Sequence, residues 1–231
     1  MKRDVFIETE NVSRFAAALT LAEDTDFGRP GMMMVSGEAG RGKTVAARSS
    51  HAVRGGIYLR AWQDWTQAAF LQALCHEVCG ARPHGSNRCK VRIVEELEHE
   101  RRTIYMDEAD RLDIGRLEDL RDIHDETGAP IVLIGEQGLP ARVAARSRID
   151  DRIPGEYRIP FAPVSQQDIT LYALEAANLV LEPKACKIVH TFCKGNFRRA
   201  HNAIVSLDQM AKAVQTDQVD AAMAKKLRGL K

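Results

Sequence analysis

The chain is predicted to be an α/β protein: a parallel five-stranded sheet covered on both faces by helices, followed by a small all-helical domain. Three observations predict this. Short, nearly continuous apolar runs alternate with helix-period segments up to residue 163, the pattern of strands buried on both faces and joined by crossover helices. A glycine-rich octapeptide, Gly37–Thr44, lies between the first such run and a helical segment. After Pro163 the strand signal stops and only helical periodicity remains. The expected domains are therefore residues 1–163 and 164–231.

The strands are read at 32–36 (Met-Met-Met-Val-Ser), 57–61, 103–106, 131–134 and, more weakly, 156–161. Between them, Leu71, Leu74, Cys75, Val78 and Cys79 mark one face of a helix starting near Thr66, with Asp64 as its expected cap. Val94 and Leu97 mark a second helix, and Leu117 and Leu120 a third that ends before Gly128-Ala-Pro130. In the C-terminal part, Ser165 to Asp168 has the form of a capping box. Ile188, Val189 and Phe192 line one helix there, and Phe197, Ala200, Ile204, Leu207 and Ala211 the next. A last helix is expected after Thr216-Asp217.

Composition narrows the function classes. The chain has 231 residues, 45% hydrophobic and 28% charged, enough to bury a core without disulfides or metals. That balance excludes a disordered, collagen-like or disulfide-scaffold protein. No apolar run reaches the length of a membrane span and the N-terminus has no signal-peptide core. The expectation is a cytoplasmic protein with no membrane partner. Five cysteines without a Cys-x-x-Cys pair suit a reducing compartment. Net charge is +1, too low for a uniformly basic nucleic-acid binder. The segment 182–231 is locally basic, with ten Lys/Arg against four Asp/Glu.

Gly37-Glu38-Ala39-Gly40-Arg41-Gly42-Lys43-Thr44 satisfies the phosphate-binding pattern G-x-x-x-x-G-K-[ST] in full. The glycines let backbone N–H groups curl around phosphates at a helix N-terminus, Lys43 reaches the β- and γ-phosphates of ATP, and the Thr44 hydroxyl ligates Mg²⁺. Val45 follows directly in the helix. The run Thr103-Ile-Tyr-Met106 ends in Asp107-Glu108. There Asp107 is expected to hold Mg²⁺ and Glu108 to act as general base on the attacking water.

A P-loop, then Asp107-Glu108-Ala109-Asp110 at a strand end, then an all-helical domain resembles the AAA+ ATPases over nearly the whole chain. That resemblance implies ATP bound between subunits of a homo-oligomer, a helical lid, and an arginine supplied in trans. It also implies roles for particular positions. Glu136 or Gln137, after the fourth strand, stands at the sensor-1 position. Arg148, in Ala145-Arg-Ser-Arg-Ile-Asp-Asp-Arg152, matches the arginine finger, with Arg146 and Arg152 as alternatives. Arg198, in Gly195-Asn-Phe-Arg198, matches sensor 2, and Asn11 and Val12 stand where adenine is wrapped.

The run Pro130–Pro140, followed by Ala-Arg and Ser147-Arg148, is similar to the transposition ATPases of Mu-like phages, transposition protein B, and to Tn7-type regulator ATPases. Those proteins polymerise on DNA with ATP and pass it to a transposase. The resemblance implies duplex DNA and a transposase as partners, bacterial host cytoplasm as location, and an oligomer that is a ring or a filament. Expected phosphate contacts, largely independent of sequence, are Arg60, Arg88, Lys90, Arg92 and Arg116, with the basic C-terminus from Lys225 to Lys231 as a further candidate. Two other readings share the motifs: a helicase-loader or initiator-like replication ATPase, and an NTPase switch that engages only proteins. Cys75, His76, Cys79, His84 and Cys89 can be drawn as a zinc site, but Cys75 and Cys79 fall on an apolar helix face and read as core thiols.

Overall fold

The computed structural model describes residues 1–2, 5–24 and 31–227. Their contacts group them into two compact units. One holds Val12–Glu38 and Lys43–Phe161; the other holds Met1–Asn11, Ala39–Gly42 and the described residues from Ala162 on.

In the first unit, β1 (Met32–Ser36), β2 (Ile57–Arg60), β3 (Ile104–Asp107), β4 (Ile131–Gly135) and β5 (Arg158–Pro160) form one parallel sheet in the order β2-β3-β4-β1-β5. All five strands read from the sequence are present. Burial explains their composition: β3 and β4 are buried at every residue, whereas the edge strands β2 and β5 alternate. The register sets Arg60 beside Asp107, Asp107 beside Ile134, and Gly135 beside Ser36. Residues from four different stretches of sequence thus finish on two adjacent rungs at the C-terminal edge, where α/β sheets carry their ligands.

Helices α1 (Glu10–Glu23), α2 (Lys43–Arg54), α3 (Gln67–Cys79), α4 (Ser86–His99), α5 (Ile114–Thr127), α6 (Leu139–Ala144) and α7 (Ser147–Asp150) complete the connections. Cys75 and Cys89 lie in the core with Leu71, Leu74 and Ile93, and Cys79 is half-buried. The cap of α3 differs from expectation. Thr66 itself accepts the Ala69 N–H at 3.2 Å, while Asp64 sits in the left-handed region at φ 61°. A hydroxyl cap of this kind contributes about 1 kcal/mol.

The second unit contains α8 (Gln166–Ala177), α9 (Pro183–Cys193), α10 (Phe197–Ala213) and α11 (Ala221–Lys226) around Ile169, Val189, Ile204 and Leu207. The Ser165–Asp168 capping box is present in both directions. Purely helical structure after Pro163 is corrected here: β6 (Val180–Leu181) pairs in parallel with β7 (Gln218–Val219). Two residues per strand leave no periodicity to detect. The last helix is capped by Asp220, whose carboxylate accepts the Met223 N–H at 2.7 Å, not by Thr216-Asp217. Among the described residues no helix is long and apolar enough to cross a membrane.

Candidate functional site

β1 ends at Ser36 and α2 starts at Lys43, so the motif loop runs straight into a twelve-residue helix with free N–H groups in its first turn. Gly42 has φ +95° with open space around its α-carbon, so the requirement for glycine there is conformational. Lys43 is buried, and its ammonium donates to the carbonyls of Gly37 at 2.6 Å and Glu38 at 2.9 Å. Burial pushes the ammonium below its ordinary pKa, while the carboxylates of Glu136, Asp110, Asp107 and Glu108 pull it back up. Four carboxylates thus act electrostatically on this one buried ammonium.

Asp107 is buried at the end of β3. The Thr44 hydroxyl lies 3.1 and 3.3 Å from its two oxygens, the Tyr58 hydroxyl donates to Oδ2 at 2.8 Å, and the Glu108 N–H donates to Oδ1 at 3.0 Å. A hydroxyl and a carboxylate side by side beneath a phosphate-type loop are the hard oxygen donors Mg²⁺ takes, so Thr44 and Asp107 fit that ion. Tyr58 carries no motif in the sequence. Its position one strand over, two residues before Arg60, is the only sequence signal for it. Burial and the neighbouring Asp107 carboxylate push its phenol well above the ordinary value.

Glu108 occupies the left-handed region (φ 58°) at the start of a 3-10 turn, which lifts its carboxylate off the strand. That carboxylate is paired with Arg60 at 2.9 Å and Arg111 at 3.3 Å. At the end of β4, Glu136 and Gln137 are both exposed, and the Glu136 N–H donates to Asp110 Oδ1 at 2.9 Å.

Residues 25–143, more than half of the chain, match the family model described as an AAA domain. The chain belongs to this family. A comparison with curated protein sequences finds no match. Among solved structures, this AAA+ chain is similar to Cdc6p of Pyrobaculum aerophilum, with a TM-score of 0.71 and 14% identity over 94% of this chain and 66% of that one. It is similar to the Aeropyrum pernix ORC1 protein solved in complex with DNA, with a TM-score of 0.62 and 21% identity over 98% and 66%. The Thermotoga maritima RuvB Holliday junction branch migration motor gives a TM-score of 0.60 and 18% identity over 99% and 71%. At these identities the likeness is one of fold. The chain spans about two thirds of the length of the Cdc6p and ORC1 chains.

The other sequence-derived positions fall unevenly. Arg146 and Arg148 are exposed at α7 with no ion pair among the described residues, whereas Arg152 is held by both oxygens of Asp125 at 2.8 and 3.1 Å. In the helical unit, Arg198 is exposed in the first turn of α10. Asn196 caps that helix through the Arg198 and Arg199 N–H groups and donates to Ala39 O at 2.9 Å. Phe197 N–H donates to Gly40 O at 2.7 Å, and Arg41 donates to Gly195 O. Arg41 and Asn196 thus tie the loop tip to the start of α10. The sequence assigns Arg41 only to the motif and Asn196 no role at all. Asn11 is buried, with its amide donating to and accepting from the backbone of Ala162 at 3.0 and 2.9 Å, so its side chain is spent on that clamp. Val12 is half-buried against the sheet core.

Of the five expected phosphate contacts, four are engaged internally. Arg60 holds Glu108, Lys90 bridges Asp119 and Asp122 at 2.8 Å each, Arg92 pairs with Glu95 at 2.9 Å, and Arg116 pairs with Asp113. Arg88 is exposed and has no ion pair among the described residues. Of the basic C-terminal stretch, Arg228 and Lys231 lie outside the described residues.

Proposed function

We propose that this AAA+ chain binds and hydrolyses ATP at the Gly37–Thr44 and Asp107–Glu108 edge, assembles with copies of itself, and engages duplex DNA largely independently of sequence to deliver it to a transposase. The observation that carries the ATPase reading is the convergence of Lys43, Thr44, Asp107 and Glu108, from two motifs over sixty residues apart, on one sheet edge. The transposition reading is carried by the likeness of residues 130–148 to the Mu-like transposition ATPases.

In this reading the loop N–H groups and Lys43 bind the phosphates. Thr44 and Asp107 would hold Mg²⁺, which supplies charge neutralisation on the β- and γ-phosphate oxygens. Tyr58 and the Glu108 N–H orient the Asp107 carboxylate. Glu108 accepts the proton of the attacking water as its oxygen bonds to the γ-phosphorus and the bond to the β,γ-bridging oxygen breaks, releasing ADP and phosphate. For that, Glu108 has to give up its ion pair with Arg60. Arg148 of a neighbouring copy stabilises the charge on the transferring group, with Arg146 as the alternative, and Gln137 completes the site. Arg152 is less suited, because leaving Asp125 breaks a two-point ion pair.

A second reading, an initiator-like replication ATPase, is favoured by the fold likeness to Cdc6p and to the DNA-bound ORC1 protein. A protein-only switch is favoured by the internal engagement of four of the five cations. One experiment separates the three. Binding to random-sequence duplex and to single-stranded DNA is measured by mobility shift with and without ATP, for the unaltered protein and Lys43→Ala, followed by ATPase assays with DNA and a transposase. ATP-dependent coating of duplex, lost in Lys43→Ala, with turnover raised by the transposase, is the expected result. Preference for single strands supports the initiator-like reading. No DNA binding at low salt in any nucleotide state leaves the protein-only switch.

A further inference from the structure

The turn that carries Glu108 is short, strained and exposed at its tip, so something has to fix it. Glu108 is in the left-handed region and the next three residues form a single 3-10 turn before Leu112 becomes extended. Side-chain contacts from Arg60 and Arg111 act on its carboxylate only. The backbone of the turn is held from a different element. Arg142, an exposed residue of the six-residue helix α6, sends one guanidinium nitrogen to the carbonyls of both Asp110 and Leu112, at 2.5 Å each. In the opposite direction, Asp110 Oδ1 accepts the Glu136 N–H at 2.9 Å. Gly135 permits the approach: a β-carbon there would stand 2.6 Å from Asp110 Oδ1, 2.9 Å from Leu139 Cδ2 and 3.2 Å from the Asp110 N.

We propose that Arg142 and Asp110 form a two-way clamp that positions Glu108 relative to the Glu136–Gln137 loop, making Arg142 a positioning residue for ATP hydrolysis. The inference rests on the reading of Glu108 as the base that activates water. Three features carry it. Both bonds from Arg142 end on main-chain carbonyls, so they constrain the backbone of the turn whatever the rotamers of Asp110 and Leu112. The bond from Glu136 ties the end of β4 to the same turn, so the base and the sensor-1 loop share one reference point. Nothing larger than glycine at 135 allows the two to come this close. Because Arg142 reaches neither Lys43 nor Thr44 in any contact among the described residues, it acts on water activation and not on nucleotide capture. Small displacements of a catalytic group cost one to two orders of magnitude in rate.

The test uses Arg142→Met, which keeps side-chain length but has no donor, Arg142→Lys, whose ammonium can donate to two carbonyls from one place, and Asp110→Ala. For Arg142→Met, kcat for ATP falls about tenfold, with KM and the Kd of a fluorescent ATP analogue unchanged within twofold. Arg142→Lys keeps at least half of the unaltered kcat. Amide exchange at residues 109–112 and at Glu136 quickens in Arg142→Met, with an unchanged melting temperature excluding global unfolding. The Asp110→Ala/Arg142→Met double variant is no slower than the worse single variant, because both break one clamp. A kcat for Arg142→Met within twofold of the unaltered protein, KM rising in step with the loss, or unaltered exchange overturns the proposal. If the unaltered protein shows no Lys43-dependent turnover with or without DNA, the ATPase reading itself has failed. Lys43-dependent turnover that Arg142→Met leaves within twofold defeats only the clamp.

Discussion

Two polar regions of the sheet unit, the edge around Lys43 and Asp107 and the basic stretch from Asn87 to Arg92, are built on opposite principles. At that edge, groups from the start of α2, from β2, from the end of β3 and its turn, and from the loop after β4 converge, and their partners are one another: Thr44 and Tyr58 on Asp107, Arg60 on Glu108, Asp110 on the Glu136 N–H. In the basic stretch Lys90 is held by Asp119 and Asp122 of the neighbouring helix α5 and Arg92 by Glu95 close in sequence, while Arg88 has no ion pair among the described residues. A motif with fixed spacing encodes where its groups will meet. A run of charges encodes only that charges are present, and the acidic residues in its surroundings decide how many remain available. An exposed pair such as Arg92–Glu95 contributes little to stability, but it occupies the cation.

The sharpest way to break the contrast is to remove one group at a time from the convergent edge. Lys43→Ala is expected to abolish ATP binding in a fluorescent-nucleotide titration. Glu108→Gln is expected to retain binding while turnover falls by about 10²–10⁴-fold, the range of a lost general base. If Glu108→Gln turns over normally, the edge binds nucleotide without the proposed chemistry. Next in size is Tyr58→Phe. Deleting the hydroxyl that orients Asp107 is expected to raise the Mg²⁺ concentration for half-maximal ATP binding by about tenfold, the scale of lost outer-sphere partners. No shift would mean that the 2.8 Å bond is incidental to the cation.

The basic segment yields a smaller effect. Arg88→Ala is expected to weaken duplex binding several-fold and to lower the salt slope by about one unit, as for one lost phosphate contact. Lys90→Ala is expected to leave the slope unchanged and instead lower the melting temperature by a few degrees. It strips the ammonium from Asp119, a buried carboxylate that also accepts from Gln67 at 3.0 and 3.1 Å. Equal salt slopes lost in both variants would show that Lys90 leaves its carboxylates when DNA arrives, and the distinction between the two regions would dissolve.

How much of the molecule is legible in its sequence follows the same division. Strands β1 and β4 are legible to within a residue because an unbroken apolar run of this length, bounded by glycine and proline, packs as a strand covered on both faces. Lys43 and Thr44 stand out because they close a pattern of fixed spacing between a strand and a helix, and Asp107 because it ends an apolar run. Tyr58, Arg142 and Asn196 are not. Each works through a bond to a group tens of residues or more away along the chain, two of them to main-chain carbonyls, and neither kind of partner leaves a pattern in sequence. Arg60 stands out for its charge and reads as a DNA contact, since nothing in the chain order announces that β2 lies beside β3 and brings it to Glu108. The pair β6 and β7 is too short to register against the helices around it.

The smallest expected effect lies at the opposite edge of the sheet, where a polar group is buried for structure alone. His124, near the end of α5, shares its Nδ1 with the Ala129 carbonyl at 2.8 Å, while its Nε2 accepts the Gly31 N–H at 3.3 Å. That pairing needs the neutral ring with its proton on Nδ1, and burial pushes the imidazole pKa below its ordinary value of 6.5. The unfolded chain takes up the proton near 6.5, so between there and the lower folded value it binds more protons than the native state. Stability is therefore complete above the ordinary value and falls as pH drops through that window, by at most about 1.4 kcal/mol per unit. Urea unfolding at about pH 7 and about pH 5.5 is expected to show this loss, and His124→Gln to remove most of the pH dependence while lowering stability at both. Nucleotide affinity of the folded protein, measured at the same two pH values, should not follow the imidazole. If it does, the foot of the sheet is coupled to the nucleotide edge, and the separation between a convergent site and locally satisfied polar groups fails at its simplest case.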